Sequence, residues 1–344
     1  MLRKYLDRVK PHFEPGGKLH AFHSVFDGFE TFLYTPTSTS SSGVHIHDSL
    51  DSKRVMIIVV LALMPCLLFG MYNTGYQNFL GSGMTEFPFW SVMAYGFLAI
   101  LPRIIVTYVV GLGIEFVVAQ WRKEEIQEGF LVTGILVPLI CPIETPIWML
   151  AVATAFAVIF AKEVFGGTGY NVFNVALVTR AFLFFAYPAS MSGDHAFISA
   201  NPICGLGGHV NFADGVSGAT PLGQVATTVG DKLHLTNIVG DPLSLWDAFL
   251  GLIPGSFGET STLCILIGAA ILLFTGIASW RVMLSVVAGG LFMGWIANLC
   301  QTPTYPASML SPVEQLVFGG FAFAAVFMAT DPVTSAQTDT GKYI

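Results

Sequence analysis

The string Asp214-Gly215-Val216-Ser217-Gly218-Ala219-Thr220-Pro221 sets two hydroxyls among small residues in a polar stretch between apolar runs. Small neighbours leave a hydroxyl open to another enzyme, and Pro221 biases Thr220 toward an extended backbone that presents its side chain. Such a string is either a site of covalent modification or a flexible turn, and composition does not separate the two. A second string, Gly166-Gly167-Thr168-Gly169-Tyr170-Asn171-Val172-Phe173-Asn174, puts two amides one helical turn apart, so their donors and acceptors share a face. Its glycines permit close backbone approach; equally, it reads as a glycine loop with an Asn cap opening the next helix. Glu115, Arg180 and Asp331 lie inside or at the ends of apolar runs. A charge there is costly and marks an ion path or a specific partner. For Glu115 the alternatives are snorkelling to the nearby interface or pairing with Arg122 or Lys123, and for Arg180 pairing with a buried acid.

The elements that must position these groups follow from composition. Of 344 residues, 53% are hydrophobic and only 11% charged, and the mean hydropathy is +0.68. Soluble proteins carry about a quarter charged residues, so this is the composition of a polytopic protein embedded in a lipid bilayer. Intrinsic disorder and collagen-like or disulfide scaffolds are excluded. A net charge of −7 without a basic, aromatic-interleaved stripe argues against a nucleic-acid partner. Five cysteines without a C-x-x-C pair give no zinc set. Eight histidines, all outside the apolar runs, offer no axial haem pair, so no metal is expected. The opening MLRKYLDRVKPHFEPGGKLH is basic and polar with no apolar core, unlike a cleavable signal peptide.

Eight runs are long and apolar enough to predict spans: 54–72, 91–119, 128–141, 146–163, 172–190, 262–280, 282–299 and 313–330. With the amino terminus cytoplasmic, 12 of the 15 Lys and Arg fall inside, Lys232 alone falls outside, and Arg103 and Arg180 stay within spans. The long 191–261 loop therefore faces outward. Glu128–Pro142 and Glu314–Pro332 each read as an acid, a glycine-bearing apolar run and a proline stop. This repeat predicts an all-α fold of two inverted five-helix units, as in many transport proteins. The expected divisions are a cytoplasmic arm (1–53), a first membrane repeat of five spans (54–190), a periplasmic loop (191–261) and a second repeat (262–344). Only three of the five spans of that second repeat are present, so it is expected to be truncated.

The D-x-x-S-G-A-T pattern resembles a motif in which FMN is joined by a phosphoester to the threonine hydroxyl. The likeness extends along the chain: VKPHFEPGGK, HDSLDSKRVMIIVVLALMPCLLFGMYNTGYQ, KEVFGGTGYNVFNVALVTRAFLFFAYPASMSGD, PGSFGETS and FMATDPV all resemble the B subunit of the sodium-translocating NADH:quinone oxidoreductase. The D subunit of the Rnf-type ferredoxin:NAD oxidoreductase shares the flavin motif but usually lacks the amino-terminal extension. The resemblance implies covalent FMN on Thr220, with Asp214, Ser217, Gly218 and Ala219 completing the motif and Ser217 the competing hydroxyl. It implies non-covalent riboflavin at Gly166, Gly167, Asn171 and Asn174. Given a flavin, the charge of Arg180 makes it a candidate to stabilise the reduced, anionic form, beside the alternative of pairing with a buried acid. It implies a quinone or ion site at Gly111, Gly113 and Glu115, where Leu112 replaces one glycine of the family's close pair.

The implied function is transfer of electrons to ubiquinone or menaquinone coupled to Na+ export. The implied setting is the bacterial inner membrane, alongside the A, C, D, E and F subunits of a six-subunit complex, with a periplasmic flavin transferase acting on the outer loop. Two alternatives stand beside it. One is a solute channel or transporter, because the inverted five-span repeat resembles the urea-transporter architecture. The other is the ferredoxin-linked sister subunit.

Overall fold

Helices that face lipid on one side and protein on the other are apolar all round rather than along one stripe. The chain follows that pattern. The computed structural model describes residues 2–13, 17, 26, 43, 52–84, 86–122, 129–193, 197–200, 218–228, 234–300 and 306–344. Among them no strand occurs, and the single β-bridge joins Thr236 to Pro242.

A short basic helix, α1 (Leu2–Val9), precedes the two longest, α2 (Ser52–Gly81) and α3 (Phe89–Arg122). Next come α4 (Phe130–Ile140) and α5 (Ile147–Ala157), which runs on through a π turn at Val158–Lys162 and a 3₁₀ turn at Glu163–Phe165. α6 (Val175–Ala186) completes the first group. α7 (Pro221–Thr227) and α8 (Leu245–Leu250) belong to the intervening loop. α9 (Thr262–Phe274), α10 (Trp280–Leu299), α11 (Pro312–Val317) and α12 (Phe321–Phe323), with a π turn at Ala324–Met328, form the second group. Four helical stretches are long and apolar enough to cross a membrane: 54–81, 89–122, 147–165 and 280–299.

α2 and α3 pack at backbone distance because glycine stands where they cross. A Cβ on Gly75 would strike the Val92 carbonyl, and one on Gly96 the Met71 carbonyl. α4 and α9, of 11 and 13 residues, measure roughly 16–20 Å at 1.5 Å per residue, against about 30 Å of hydrocarbon. Pro142 stops α4 by holding Cys141 extended, at φ −91° and ψ 151°. Ser261 opens α9 by accepting the Cys264 N–H at 3.3 Å. The two interruptions meet: Gly258 N–H donates to the Leu139 carbonyl at 2.8 Å, and the Phe257 carbonyl lies against Gly70 of α2. Short helices and irregular backbone survive at membrane depth only under such cover.

Three spans differ from the sequence expectation. The run at 313–330 is not one helix. It breaks at Phe318–Gly320, where Phe318 is extended and Gly319 has φ +80°, between α11 and α12. The 262–280 run stops at Phe274, with Gly276 at φ +71° in the turn. The third, 172–190, has α6 to Ala186 and then a 3₁₀ turn at Pro188–Met191. Glu128–Pro142 and Glu314–Pro332 thus take different shapes, one helix against two.

The main core joins α2, α3, α4, α5, α9 and α12 around Leu63, Ile100, Leu139, Leu150 and Phe323, all fully buried. A second cluster of Val225, Ala248, Ile253, Leu310, Val317 and Phe318 fastens α7 and α8 to α11.

Candidate functional site

Two cavities collect the polar groups singled out in the sequence. One, named the outer cavity after the orientation expected from the charge distribution, has a volume of about 110 Å³ and is lined by Thr220, Arg180, Glu259, Ser256, Thr260 and Gly320, among others. Thr220 stands at the start of α7 because Pro221 takes the first helical position and the threonine takes the cap. Its Oγ1 accepts the Gly223 N–H at 3.1 Å. Its own N–H donates to the Gly193 carbonyl at 2.8 Å. Gly193 and Gly223 flank the hydroxyl so closely that a Cβ on either would lie 3.1–3.2 Å from Oγ1. The result is a half-buried hydroxyl in a backbone cradle.

Across the cavity Arg180 Nη1 and Glu259 Oε1 form an ion pair at 2.5 Å, with the guanidinium side 33% exposed and the carboxylate side 6%. A Cβ on Gly320 would lie 2.5 Å from the Glu259 carboxyl, so the break before α12 is also what makes room for the acid. Thr260 Oγ1 is buried without a hydrogen-bond partner. A phosphate ester fits these residues: an approachable hydroxyl and a cation whose charge is partly presented to the cavity. Asp214 and Ser217 lie outside the described residues; Gly218 is buried and Ala219 half-buried.

The inner cavity, about 90 Å³, is lined by Asn171, Asn174, Thr168, Lys162, Thr330 and Asp331, among others. Asn174 Oδ1 caps α6 by accepting N–H from Ala176 (3.0 Å) and Leu177 (3.2 Å), while Nδ2 donates to Asp331 Oδ2 at 3.0 Å. Asn171 Nδ2 donates only to the Phe173 carbonyl, at 3.1 Å. Gly166 and Gly167 have φ +121° and +94°, conformations that call for glycine, and a Cβ on Gly167 would meet nothing within 4 Å. Thr168 Oγ1 is buried and unpartnered. An uncharged, polyhydroxylated heterocycle fits this set of amide, hydroxyl and carboxylate groups at an apolar wall.

Glu115 pairs with Lys162, with both side chains buried, where the sequence reading offered Arg122 or Lys123. Lys123 lies outside the described residues. Arg122 turns instead to Glu163, donating to its carbonyl at 2.5 Å and standing 3.9 Å from its carboxylate. The π turn ending at Lys162 carries the ammonium inward to Glu115. Gly111 shares the inward face with Glu115 and packs under the Phe130 ring, whereas Gly113 opens to empty space. The structure therefore brings Glu115 toward the inner cavity through Lys162 and leaves Gly113 apart.

The family model for NQR2, RnfD and RnfE matches residues 39–344. The chain belongs to the NQR2, RnfD, RnfE family. It is 41% identical to the B subunit of the Na(+)-translocating NADH-quinone reductase of Pseudomonas paraeruginosa, over 100% of this chain and 86% of that relative. The corresponding B subunit of Chromohalobacter salexigens is 40% identical, over 100% and 84%. That of Klebsiella pneumoniae is 40% identical, over 99% and 86%.

Within this member of the NQR2, RnfD, RnfE family, sequence reasoning passed over Glu259, Lys162 and Gln224. Glu259 had a readable signal, an acid three residues before an apolar run, in PGSFGETS. Lys162 looked like an interfacial charge after a span. Gln224 had none.

Proposed function

We propose that the chain is the membrane-embedded B subunit of a Na+-pumping NADH:quinone oxidoreductase, carrying FMN on Thr220 and riboflavin at the Asn171–Asn174 cavity. It passes electrons toward ubiquinone or menaquinone and couples this to Na+ export, in the bacterial inner membrane with the amino terminus cytoplasmic. The observation that carries the reading is the Thr220 hydroxyl, cradled by Gly193 and Gly223 on a cavity wall that it shares with Arg180. A solute channel has no use for that arrangement. The relatives matched along the whole chain carry the name of the sodium-translocating reductase, which favours it over the ferredoxin-linked sister.

Bound flavins supply one-electron relay chemistry. The protein's own residues hold them apart and anchored. Asn174 fixes the inner end of α6, and Arg180 follows six residues later, about 9 Å along the same helix. One short helix thus contributes to both cavities. Arg180 supplies a positive charge near Thr220, and Glu259 limits its strength so that the cavity stays near neutral before modification. Gly111, Gly113 and Glu115 are the candidate quinone or ion residues, with Lys162 balancing the Glu115 carboxylate.

The division of the chain into a cytoplasmic arm (1–53), two inverted urea-transporter-like repeats (54–190 and 262–344) and a periplasmic loop (191–261) belongs to the same reading. So do the A, C, D, E and F subunits and a periplasmic flavin transferase as partners. The interrupted helices that meet at Leu139 and Gly258 support a transport architecture.

Peptide mass spectrometry on the protein from its native membrane, with in-gel flavin fluorescence after denaturation, tests the reading. An FMN phosphoester on Thr220 is expected. A bare Thr220 peptide from membranes whose partner C subunit is flavinylated overturns it.

A further inference from the structure

Beyond the modified threonine itself, we propose that Gln224 is the positioning residue that makes Thr220 a substrate for flavin attachment. This rests on the assignment of Thr220 as the attachment site.

Gln224 lies one turn into α7 and spends its amide on backbone. Nε2 donates to the Thr236 carbonyl at 2.8 Å and to the Ala219 carbonyl at 3.2 Å, while Oε1 accepts the Thr236 N–H at 2.9 Å. The side chain thus pairs with both backbone groups of Thr236, as a neighbouring strand would, and holds the residue before Thr220 at the same time. Thr236 is itself fixed by its bridge to Pro242, beside the Leu243 N–H to Leu235 carbonyl bond at 2.9 Å. Val225, the next residue along α7, is buried in the cluster with Ala248 and Val317, so the helix that carries Gln224 cannot drift.

A string of small residues has little side chain to order it, since Gly218 carries none and Ala219 only a methyl. The Gln224 amide adds a fixed hydrogen bond to the Ala219 carbonyl. With Ala219 held, Thr220 stays at the cap, and the Gly223 N–H occupies one lone pair of Oγ1. The second lone pair of Oγ1 is left to face an incoming phosphorus, and its O–H to face a base.

Attachment requires a flavin dinucleotide as co-reactant. The bond from phosphorus to Thr220 Oγ1 forms as the pyrophosphate P–O bond breaks. A nucleoside monophosphate leaves, the hydroxyl proton passes to a base on the transferase, and no electrons are exchanged. Gln224 touches neither reacting atom and acts through the backbone of residue 219.

The test uses the full chain, co-expressed with its partner subunits and the transferase. It compares wild type, Gln224→Leu and Gln224→Glu by flavin per chain, from in-gel fluorescence and peptide mass. Chain abundance in the membrane is measured alongside. The initial rate of modification in Gln224→Leu should fall about ten-fold, the scale of the one lost hydrogen bond to the Ala219 carbonyl. Abundance should stay unchanged. Gln224→Glu retains the shape but, when ionised, cannot donate to the carbonyls of Ala219 and Thr236. Relative to wild type at the same pH, its rate should recover as pH falls and the acid regains a proton to donate. A merely structural role would lower chain abundance together with the rate, whereas a positioning role lowers the rate alone. Wild-type rates in both variants, or a Gln224→Glu deficit that ignores pH, overturn the positioning role alone. A wild-type chain without flavin on Thr220 overturns the attachment site and this inference with it.

Discussion

The outer and inner cavities are built by opposite means. Around the inner one most of the order is local: Asn174 caps the helix it starts, Gly166 and Gly167 take the left-handed turns of their own loop, and Asp331 accepts the Val333 N–H two residues on at 3.1 Å. Around the outer one the contacts that frame the hydroxyl's cavity reach further along the chain. Thr220 leans on Gly193, Arg180 meets Glu259, Glu259 needs Gly320, and Gln224 reaches Thr236. Buried amides of α2 extend the pattern, since Asn73 donates to the Ile253 carbonyl at 2.9 Å and Asn78 to the Ser199 carbonyl at 2.6 Å. A locally built site tolerates movement elsewhere in the chain, whereas a site assembled from loops depends on the frame that gathers them.

Thr220→Val breaks the comparison most completely, because it removes the hydroxyl and conserves the shape. Covalent flavin on this chain should be abolished while non-covalent flavin at the inner cavity is retained, as read by denaturing-gel fluorescence against acid-extractable flavin. Joint loss of both would mean that the two cavities are one cooperative unit. Lys162→Met should be the most destabilising single change, since it leaves Glu115 buried without its cation. Removing one partner of a buried pair costs about 3–5 kcal/mol, and adding Glu115→Leu should restore most of it. Thermal unfolding in detergent measures both. A single variant as stable as wild type would show that the pair is open to water.

Gly320→Ala sharpens the contrast from the outer side. The new methyl meets the Glu259 carboxyl, and overpacking of this kind costs about 1–3 kcal/mol. On the proposed reading, the visible spectrum of a covalent flavin at Thr220 should shift and that of a flavin in the inner cavity should not. Asn174→Ala removes a helix cap worth about 1 kcal/mol together with the Asp331 contact. Non-covalent flavin should be lost from purified protein, and Asn171→Ala should lose less. Arg281→Ala breaks an ion pair with the exposed Asp339, three residues beyond Ala278 of the inner-cavity wall, and should change stability by less than about 1 kcal/mol. A larger effect would point to an interface with a partner subunit at that face.

Local chemistry made the inner site the more legible. The sequence reads as offering an Asn cap, and Asn174 rather than Asn171 supplies it, in the same contact set that lets Nδ2 face Asp331. Positive-φ glycines at 166 and 167 follow from their types. At the outer site Thr220 was visible as an approachable hydroxyl before a proline, but its partners were not. No periodicity relates Arg180 to an acid 79 residues later, and nothing in the sequence ties Gln224 to Thr236. The partner of Glu115 was misplaced for a related reason. Arg122 lies two helical turns along α3, whereas Lys162 arrives from another helix through a π turn that sequence does not announce.

By itself the sequence determined the membrane character, a helix within each of the eight runs, the proline stop after α4 and the threonine presented at the start of α7. Each of these depends on side-chain type and spacing over fewer than about 20 residues, where hydropathy and backbone sterics act directly. Only the tertiary structure decided that the 313–330 run breaks at Gly319, that the interruptions of α4 and α9 meet, and which buried charges are partners. Those outcomes turn on the cost of leaving a charge or a backbone group unpaired away from water, and the groups that relieve that cost are brought together by packing rather than by neighbourhood in the chain.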